Sequence, residues 1–310
     1  MQVANAEVHV LTKKGFESIL LSNPYVEKVL ATDGTINDVL PQLKKEKYDV
    51  VIDLHNNLRS LKLKLALGKK YVVFDKLNWQ KWLIVNFGIN KLPDTHIVDR
   101  YFDAVKSLNV QNDGEGLDFF IRPDHEVNLQ QLPITHQLGY VGIAIGAKHV
   151  TKILPLQKLI ALCRLLPQPI VLLGGNEDEA RGAEIVKAVG SIVYNACGKY
   201  NLGQSASLVK QASVIITHDT GLMHIAAAFR KNIISIWGNT IPEFGMYPYL
   251  PLNFTKRAAI LEVNNLPCRP CSKIGFDKCP IDHFNCMNLI DIDEVVSLAK
   301  QTFSALENKS

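Results

Sequence analysis

The sequence predicts an α/β protein built on parallel sheets and divided into two halves. Three observations carry this: short apolar or alternating runs recur along the chain, longer amphipathic segments separate them, and the pattern restarts midway. β-branched runs joined by helices mark βα units, whose strands are covered on both faces. The length of 310 residues allows two domains, since one domain takes roughly 150. A composition 47% hydrophobic and 21% charged excludes a disordered tail, a fibre or a small disulfide scaffold.

In the first half, strands are expected at residues 7–11 (EVHVL), 26–31, 48–54 (YDVVIDL) and 71–74. Residues 120–139, rich in Pro, His, Gln and Asn, read as a boundary, which gives domains 1–136 and 137–310. In the second half, strands are expected at 140–145, 170–173, 192–194, 214–217 and 232–237, with helices over 155–166, 177–189 and 222–229. Ligands of such sheets bind in a crevice at the carboxyl ends of the strands.

Charge narrows the partners. Of 34 basic and 30 acidic residues, 17 of each lie before residue 137, so the excess of four falls in the second half. That excess is too small for a polyanion such as nucleic acid and suits a small anionic ligand. The chain contains no run of about 18 apolar residues to span a membrane. The opening MQVANAE lacks the basic and apolar regions of a signal peptide. Four of the six cysteines fall within nineteen residues, unlike a secreted disulfide framework, so the expected location is the cytoplasm.

The strongest local signal is VIITHDTGLMHIAAAF, residues 214–229. A strand ends at Thr217, Asp219 and Thr220 are N-cap residues, Gly221 admits close backbone approach, and a small-residue helix follows. The free N–H groups and positive end of such a helix suit a diphosphate. The alternative is that Asp219 only caps the helix. His224, one turn in, either faces the ligand or is a satisfied core histidine.

Two further turns bear on the same crevice. Residues 140–155, YVGIAIGAKHVTKILP, run from a strand through Gly146 and Ala147 to Lys148 and Lys152. A lysine held at a strand's carboxyl end can neutralise phosphate, whereas a solvated loop charge is the usual fate of lysine. Residues 171–181, VLLGGNEDEAR, place Glu177 after a Gly-Gly turn. An acid there takes ribose hydroxyls or serves as a first-turn helix charge. The glycine order is not that of a dinucleotide fingerprint.

Together GAKHVTKILP, LLGGNEDE and above all HDTGLMHIAAA resemble glycosyltransferase family 9, the lipopolysaccharide heptosyltransferases. Weaker echoes in YDVVIDLHNNLRS and DTHIVDRYFDAV extend the likeness over nearly the whole chain. The resemblance implies a GT-B-like fold, two Rossmann-like domains facing a central cleft. It implies inverting transfer of a heptose from ADP-heptose to a lipid-anchored lipopolysaccharide core oligosaccharide, with no catalytic metal or required cofactor. Carried over, it assigns donor binding to Gly146, Ala147, Lys148, Lys152, Glu177, Asp219, Thr220, Gly221 and His224. Lys152 offsets charge on the leaving ADP, and Asp53, His55 and Arg59 face the acceptor. Other nucleotide sugars, such as a UDP-sugar, and a non-catalytic sugar-nucleotide binder are the alternatives.

The family opens with a strand, a Ser/Gly-rich loop ending in Gly-Asp and a helix, and that aspartate is taken as general base. This sequence begins where that helix ends. The expectation is therefore a truncated or misassigned start, a general base absent from the chain, impaired transfer, and a first domain lacking its opening strand and helix and less stable than the second.

Two stretches stay open. Cys268, Cys271, Cys279 and Cys286, in a loop over 268–286 with His283 as a spare ligand, suit a structural zinc. Reduced thiols or facultative disulfides are the alternative. Residues 59–70, RSLKLKLALGKK, with Trp79 and Trp82 beyond, are apolar and basic. They read either as peripheral contact with anionic lipid of the inner membrane or as a core helix with snorkelling lysine stems. The loop over 237–247 is a cover for adenine or sugar, or an ordinary buried loop.

Overall fold

The computed structural model describes residues 2–307, which form two compact units. Of the described residues, those up to 79 and 93–114 form the first, and 80–92 and those from 115 onward the second. In the first unit, β1 (His9–Thr12), α1 (Glu17–Leu20), β2 (Lys28–Ala31), α2 (Ile36–Lys45), β3 (Val50–Asp53), α3 (Leu58–Leu67) and β4 (Lys70–Val73) follow in order. α4 (Asn78–Phe87) then leads into the second unit, and α5 (Ile97–Val105) belongs to the first.

The first unit's strands pair as two separate two-stranded parallel sheets, β1 with β2 and β3 with β4. Its main apolar cluster is small. Leu30, Val39 and Leu43 are buried, with Leu11, Tyr48, Leu63 and Leu67 packed against them. α3 starts where it does because Asn57 caps it, its side chain accepting from the N–H groups of Arg59 and Ser60. Gly68, at φ 61°, ends it in the left-handed conformation that glycine adopts without strain.

The second unit carries the large core. Its elements are β5 (Val141–Ala144), α6 (Leu156–Leu165), β6 (Ile170–Leu173), α7 (Glu179–Val189), β7 (Val193–Asn195), α8 (Leu202–Gln211), β8 (Val214–His218), α9 (Gly221–Ala228), β9 (Asn232–Trp237), β10 (Ala258–Glu262), α10 (Asn285–Asn288) and α11 (Ile292–Glu307). The strands form one parallel sheet in the order β10-β9-β8-β5-β6-β7. This is the doubly wound order, with its switch point between β5 and β8, where diverging loops leave room for a ligand. β5, β6 and β8 are buried along their whole length, because one cluster covers each face of the sheet. The sequence reading found every strand but β10. No described helix is long and apolar enough to cross a membrane.

The expected boundary at residue 136 is corrected. Residues 115–136 belong to the second unit, where Val127 and Leu132 are buried against its core. The Val127 N–H donates to Ser207 Oγ at 2.9 Å, and His136 Nε2 lies 3.1 Å from the carbonyls of both Ile170 and Ile192. The polar composition hid this because the stretch is three short 3-10 turns, not a periodic element. Residues 80–92 join the second unit as well, with Ile84 packed among Ile241 and Phe244.

Two-stranded sheets on a small core open more readily than a six-stranded sheet covered on both faces. In native-state hydrogen exchange, the amides of β1–β4 should therefore exchange at lower free energy than those of β5, β6 and β8. Equal protection in both units would contradict this.

Candidate active site

Two loops meet at the switch point of the second unit. One leaves β5 and runs through Gly146, Ala147 and Lys148 to Lys152. The other leaves β8 as Asp219-Thr220 and enters α9. The Lys152 ammonium lies 2.5 Å from the Asp219 carboxylate, and both side chains are largely buried. Thr240 Oγ1 donates to the same carboxylate oxygen at 2.9 Å. Asp219 thus holds a lysine and a threonine and does not serve merely as a helix cap.

The helix start is left unoccupied by side-chain caps. Thr220, the N-cap residue, makes no side-chain capping bond. The first N–H groups of a helix have no intrahelical partner, and the space beside Gly221 is open, with nothing within 4 Å of where a Cβ would stand. The end of α9 that carries positive potential therefore faces open space, and the Lys152 ammonium is fixed on the residue next to its N-cap.

The lysine loop is clamped from two sides. On one side the Leu154 N–H donates to His218 Nε2 at 3.1 Å. His218 is fully buried, burial with Arg181 nearby pushes its pKa down to about 3, and its Nδ1 has no hydrogen-bond partner among the described residues. With Nε2 accepting, the proton sits on Nδ1. On the other side Thr151 meets Phe276 of the cysteine-rich loop. Its N–H donates to the Phe276 carbonyl at 3.1 Å, and its Oγ1 accepts from the Phe276 N–H at 2.8 Å. Arg269 extends this clasp, donating to the carbonyls of Gly238 at 2.5 Å and Thr240 at 2.8 Å while pairing with Glu262.

The other expected donor residues fall as follows. His224 is half-buried; burial lowers its pKa, Asp219 opposes and Lys152 reinforces that shift, so the ring is neutral. Lys148 is an exposed loop charge. Glu177 is exposed, and its neighbour Asp178 turns inward instead, accepting from the Gly175 N–H at 3.1 Å and lying 3.5 Å from Arg181. Burial raises the Asp178 pKa against the Gly175 hydrogen bond. A side chain at Gly146 or Gly174 would overlap its carboxylate, so Asp178 fills the space between the β5 and β6 loops. Sequence reasoning missed Asp178, His218 and Thr240; a buried acid inside the run NEDE is indistinguishable from its exposed neighbours by spacing.

In the first unit, Asp53 is not a free carboxylate. It is buried, 2.8 Å from the ammonium of Lys64, which is buried too, and it accepts from the N–H groups of His55 and Asn56. Burial pushes its pKa up, but Lys64 and these hydrogen bonds outweigh it and hold it down to about 2. His55 and Arg59 are exposed beside it. Cys268, Cys271, Cys279 and Cys286 line one cavity with His283 and Asn239, and none is in a disulfide. Cys268 Sγ is 3.7 Å from His283 Nε2, but among the described residues no three His, Cys, Asp or Glu side chains are set to hold a metal ion. Burial and the neighbouring cysteines push Cys286 up to about 12. Trp237, the last residue of β9, is fully buried in the core and Phe244 nearly so, whereas Glu243 in the same 237–247 stretch is exposed.

A doubly wound sheet with an uncapped helix start and a fixed lysine at its switch point makes a site for an anionic ligand at the carboxyl ends of the strands. Residues 37–277 match the sequence signature of Glycosyltransferase family 9 (heptosyltransferase), and the chain belongs to that family. It is 25% identical to Lipopolysaccharide heptosyltransferase 1 of Campylobacter coli over 262 residues, 76% of this chain and 75% of the relative. Its fold is similar to that of the E. coli ADP-heptose LPS heptosyltransferase II, with a TM-score of 0.74, 18% identity, and coverage of 99% and 92% of the two chains. It is also similar to E. coli heptosyltransferase WaaC solved with ADP, with a TM-score of 0.64, 19% identity, and coverage of 96% and 91%. These likenesses show the GT-B-like α/β fold class that the sequence motifs led one to expect.

The depressed His218 pKa sets a pH dependence with a definite sign. The unfolded chain takes up this proton below about pH 6.5, the folded chain only near 3. Stability should therefore fall as pH drops between those values. Asp53 acts lower, between its usual 3.8 and about 2. Urea midpoints should decline from neutral to mildly acid pH, and His218→Gln should flatten that decline. An equal slope in the variant would assign the acid sensitivity elsewhere.

Proposed function

We propose that this enzyme transfers a heptose from ADP-heptose, with inversion at the anomeric carbon, to a sugar hydroxyl of a lipid-anchored lipopolysaccharide core oligosaccharide. The observation that carries the reading is the open start of α9 at Gly221 beside the Lys152–Asp219 pair. A diphosphate brought there meets backbone N–H groups, a helix dipole and an ammonium whose position is already fixed. The activity in the Campylobacter relative's name and the ADP held by the E. coli relative support the sugar and the base.

The donor diphosphate lies on the N–H groups of Thr220 and Gly221, with neutral His224 supporting the turn. Glycosidic cleavage leaves negative charge on ADP. Lys152 faces that charge, and Asp219 and Thr240 keep its ammonium from swinging into solvent. An oriented, partly buried ammonium stabilises developing charge without reorganising at the moment of reaction. Positioning adds to this, because two substrates held in line react as one. Gly146 and Ala147 bring backbone to the nucleotide side, Lys148 adds an exposed positive charge at the rim, and Glu177 contacts the ribose. His55 and Arg59 meet the acceptor, with Asp53 acting indirectly by holding the turn that carries them. The group that takes the acceptor's proton is not assigned to a residue of this chain, and no metal is assigned to the reaction.

Two measurements test this. Calorimetric titration should show ADP binding at least about ten-fold tighter than UDP, because an adenine site leaves uracil's polar groups unpaired. Tighter UDP binding would replace the donor by a UDP-sugar. In transfer assays with ADP-heptose, Lys152→Ala should lower kcat by roughly 10²-fold, in the range of a lost charge-stabilising donor. ADP binding with no transfer in wild-type protein supplied with a lipopolysaccharide core acceptor would reduce the chain to a sugar-nucleotide binder.

A further inference from the structure

α3 is apolar on two sides, and only one of them has a use inside the first unit. Leu63 and Leu67 pack against the cluster of Leu30, Val39 and Leu43. Lys64 is buried and paired with Asp53, which pins the helix in rotation about its own axis. On the opposite side Leu58, Leu61 and Leu65 are 79%, 42% and 72% exposed. At about 100° per residue these three lie within roughly 60° of arc, a continuous stripe along two turns. Lys62 stands within roughly 40° of that stripe. It is exposed, as are Arg59, Lys69 and Lys70 around it.

Charge selects the occupant. From residue 54 to residue 74 the chain holds five basic residues and no acidic one, and the one basic side chain that is neutralised is Lys64, by Asp53. An exposed leucine stripe in a stretch of chain that carries positive charge and no acid is matched by a surface that is apolar beneath and anionic at its rim. An anionic bilayer has that layout, since leucines enter the acyl boundary while lysines stay among the head groups. Contiguity sets this stripe apart from the exposed leucines scattered elsewhere on the chain, such as Leu138 and Leu252, because contiguous apolar patches mark interaction surfaces.

We propose that the Leu58–Leu61–Leu65 face of α3, with Lys62 beside it and Lys69 and Lys70 just past the C-terminal end of the helix, docks this enzyme on an anionic lipid bilayer. The surface deepens the reading of a lipid-anchored acceptor and rests on it for the choice of a bilayer as the occupant. The dock brings the enzyme to the plane in which its acceptor is held.

Vesicle co-sedimentation of the full chain, without donor or acceptor, tests the dock separately from the reaction. Wild-type protein should pellet with phosphatidylethanolamine–phosphatidylglycerol vesicles, and binding should fall at least about ten-fold on phosphatidylcholine vesicles or at high salt. Leu58→Ser/Leu61→Ser/Leu65→Ser should lose the anionic vesicles by a similar factor, and so should Lys62→Gln/Lys69→Gln/Lys70→Gln. Both variants should keep the wild-type melting temperature and the wild-type rate on a delipidated, water-soluble acceptor. Wild-type protein left in the supernatant, or variants that pellet like wild type, would overturn the dock. So would a wild-type dimer in light scattering that the leucine variant abolishes, which would make the stripe a contact between copies. Loss of transfer to the soluble acceptor by wild type would instead overturn the proposed reaction and leave the vesicle result standing.

Discussion

The Lys152–Asp219 pair is the constraint on which the rest of the site depends. Lysine is a long, flexible, strongly hydrated cation, and a surface lysine spends its time in solvent. Here the ammonium is tied to a carboxylate that also accepts from Thr240. The loop beneath it is held by His218 on one side and Phe276 on the other. Each of these contacts alone is modest. Together they remove the freedom that would otherwise be lost when the lysine meets a ligand.

The cysteine-rich loop acquires a role in this light. Four cysteines look like chemistry in the sequence, yet in the structure the loop's ties to the site come from its other residues. Arg269 fastens the β9 loop through the carbonyls of Gly238 and Thr240, and Phe276 fastens the lysine loop through Thr151. Thr240 in turn holds Asp219. A continuous chain of hydrogen bonds thus runs from the loop to the lysine. The four cysteines, of which Cys286 is buried, line one cavity with Arg269.

What the sequence made legible was backbone: strands that are apolar throughout, helices with a stripe, and the HDTG turn where one gives way to the other. β5, β6, β8 and β9 announce themselves because both faces of their sheet are covered. β10 did not, with Ala258, Ala259 and Ile260 only half-buried or exposed. The fate of single polar side chains was less legible. Asp178 and Glu177 are adjacent acids in one turn, and Asp178 turns inward where Gly146 and Gly174 leave room and the Gly175 N–H and Arg181 meet it. Asp53 looked available at a strand end because its partner, Lys64, lies on the next helix among other lysines. Leu58 and Leu63 share one run, and their opposite fates depend on the rotation that Lys64 fixes.

The account stands or falls on the start of α9, and amide chemical shifts read it directly. On adding ADP to isotope-labelled protein, the largest perturbations should fall on the backbone amides of Thr220, Gly221 and Leu222 and on the Lys152 side-chain ammonium. Perturbations confined to other loops of the second unit, with those four signals unmoved at saturating ADP, would contradict the assignment of this turn as the diphosphate site.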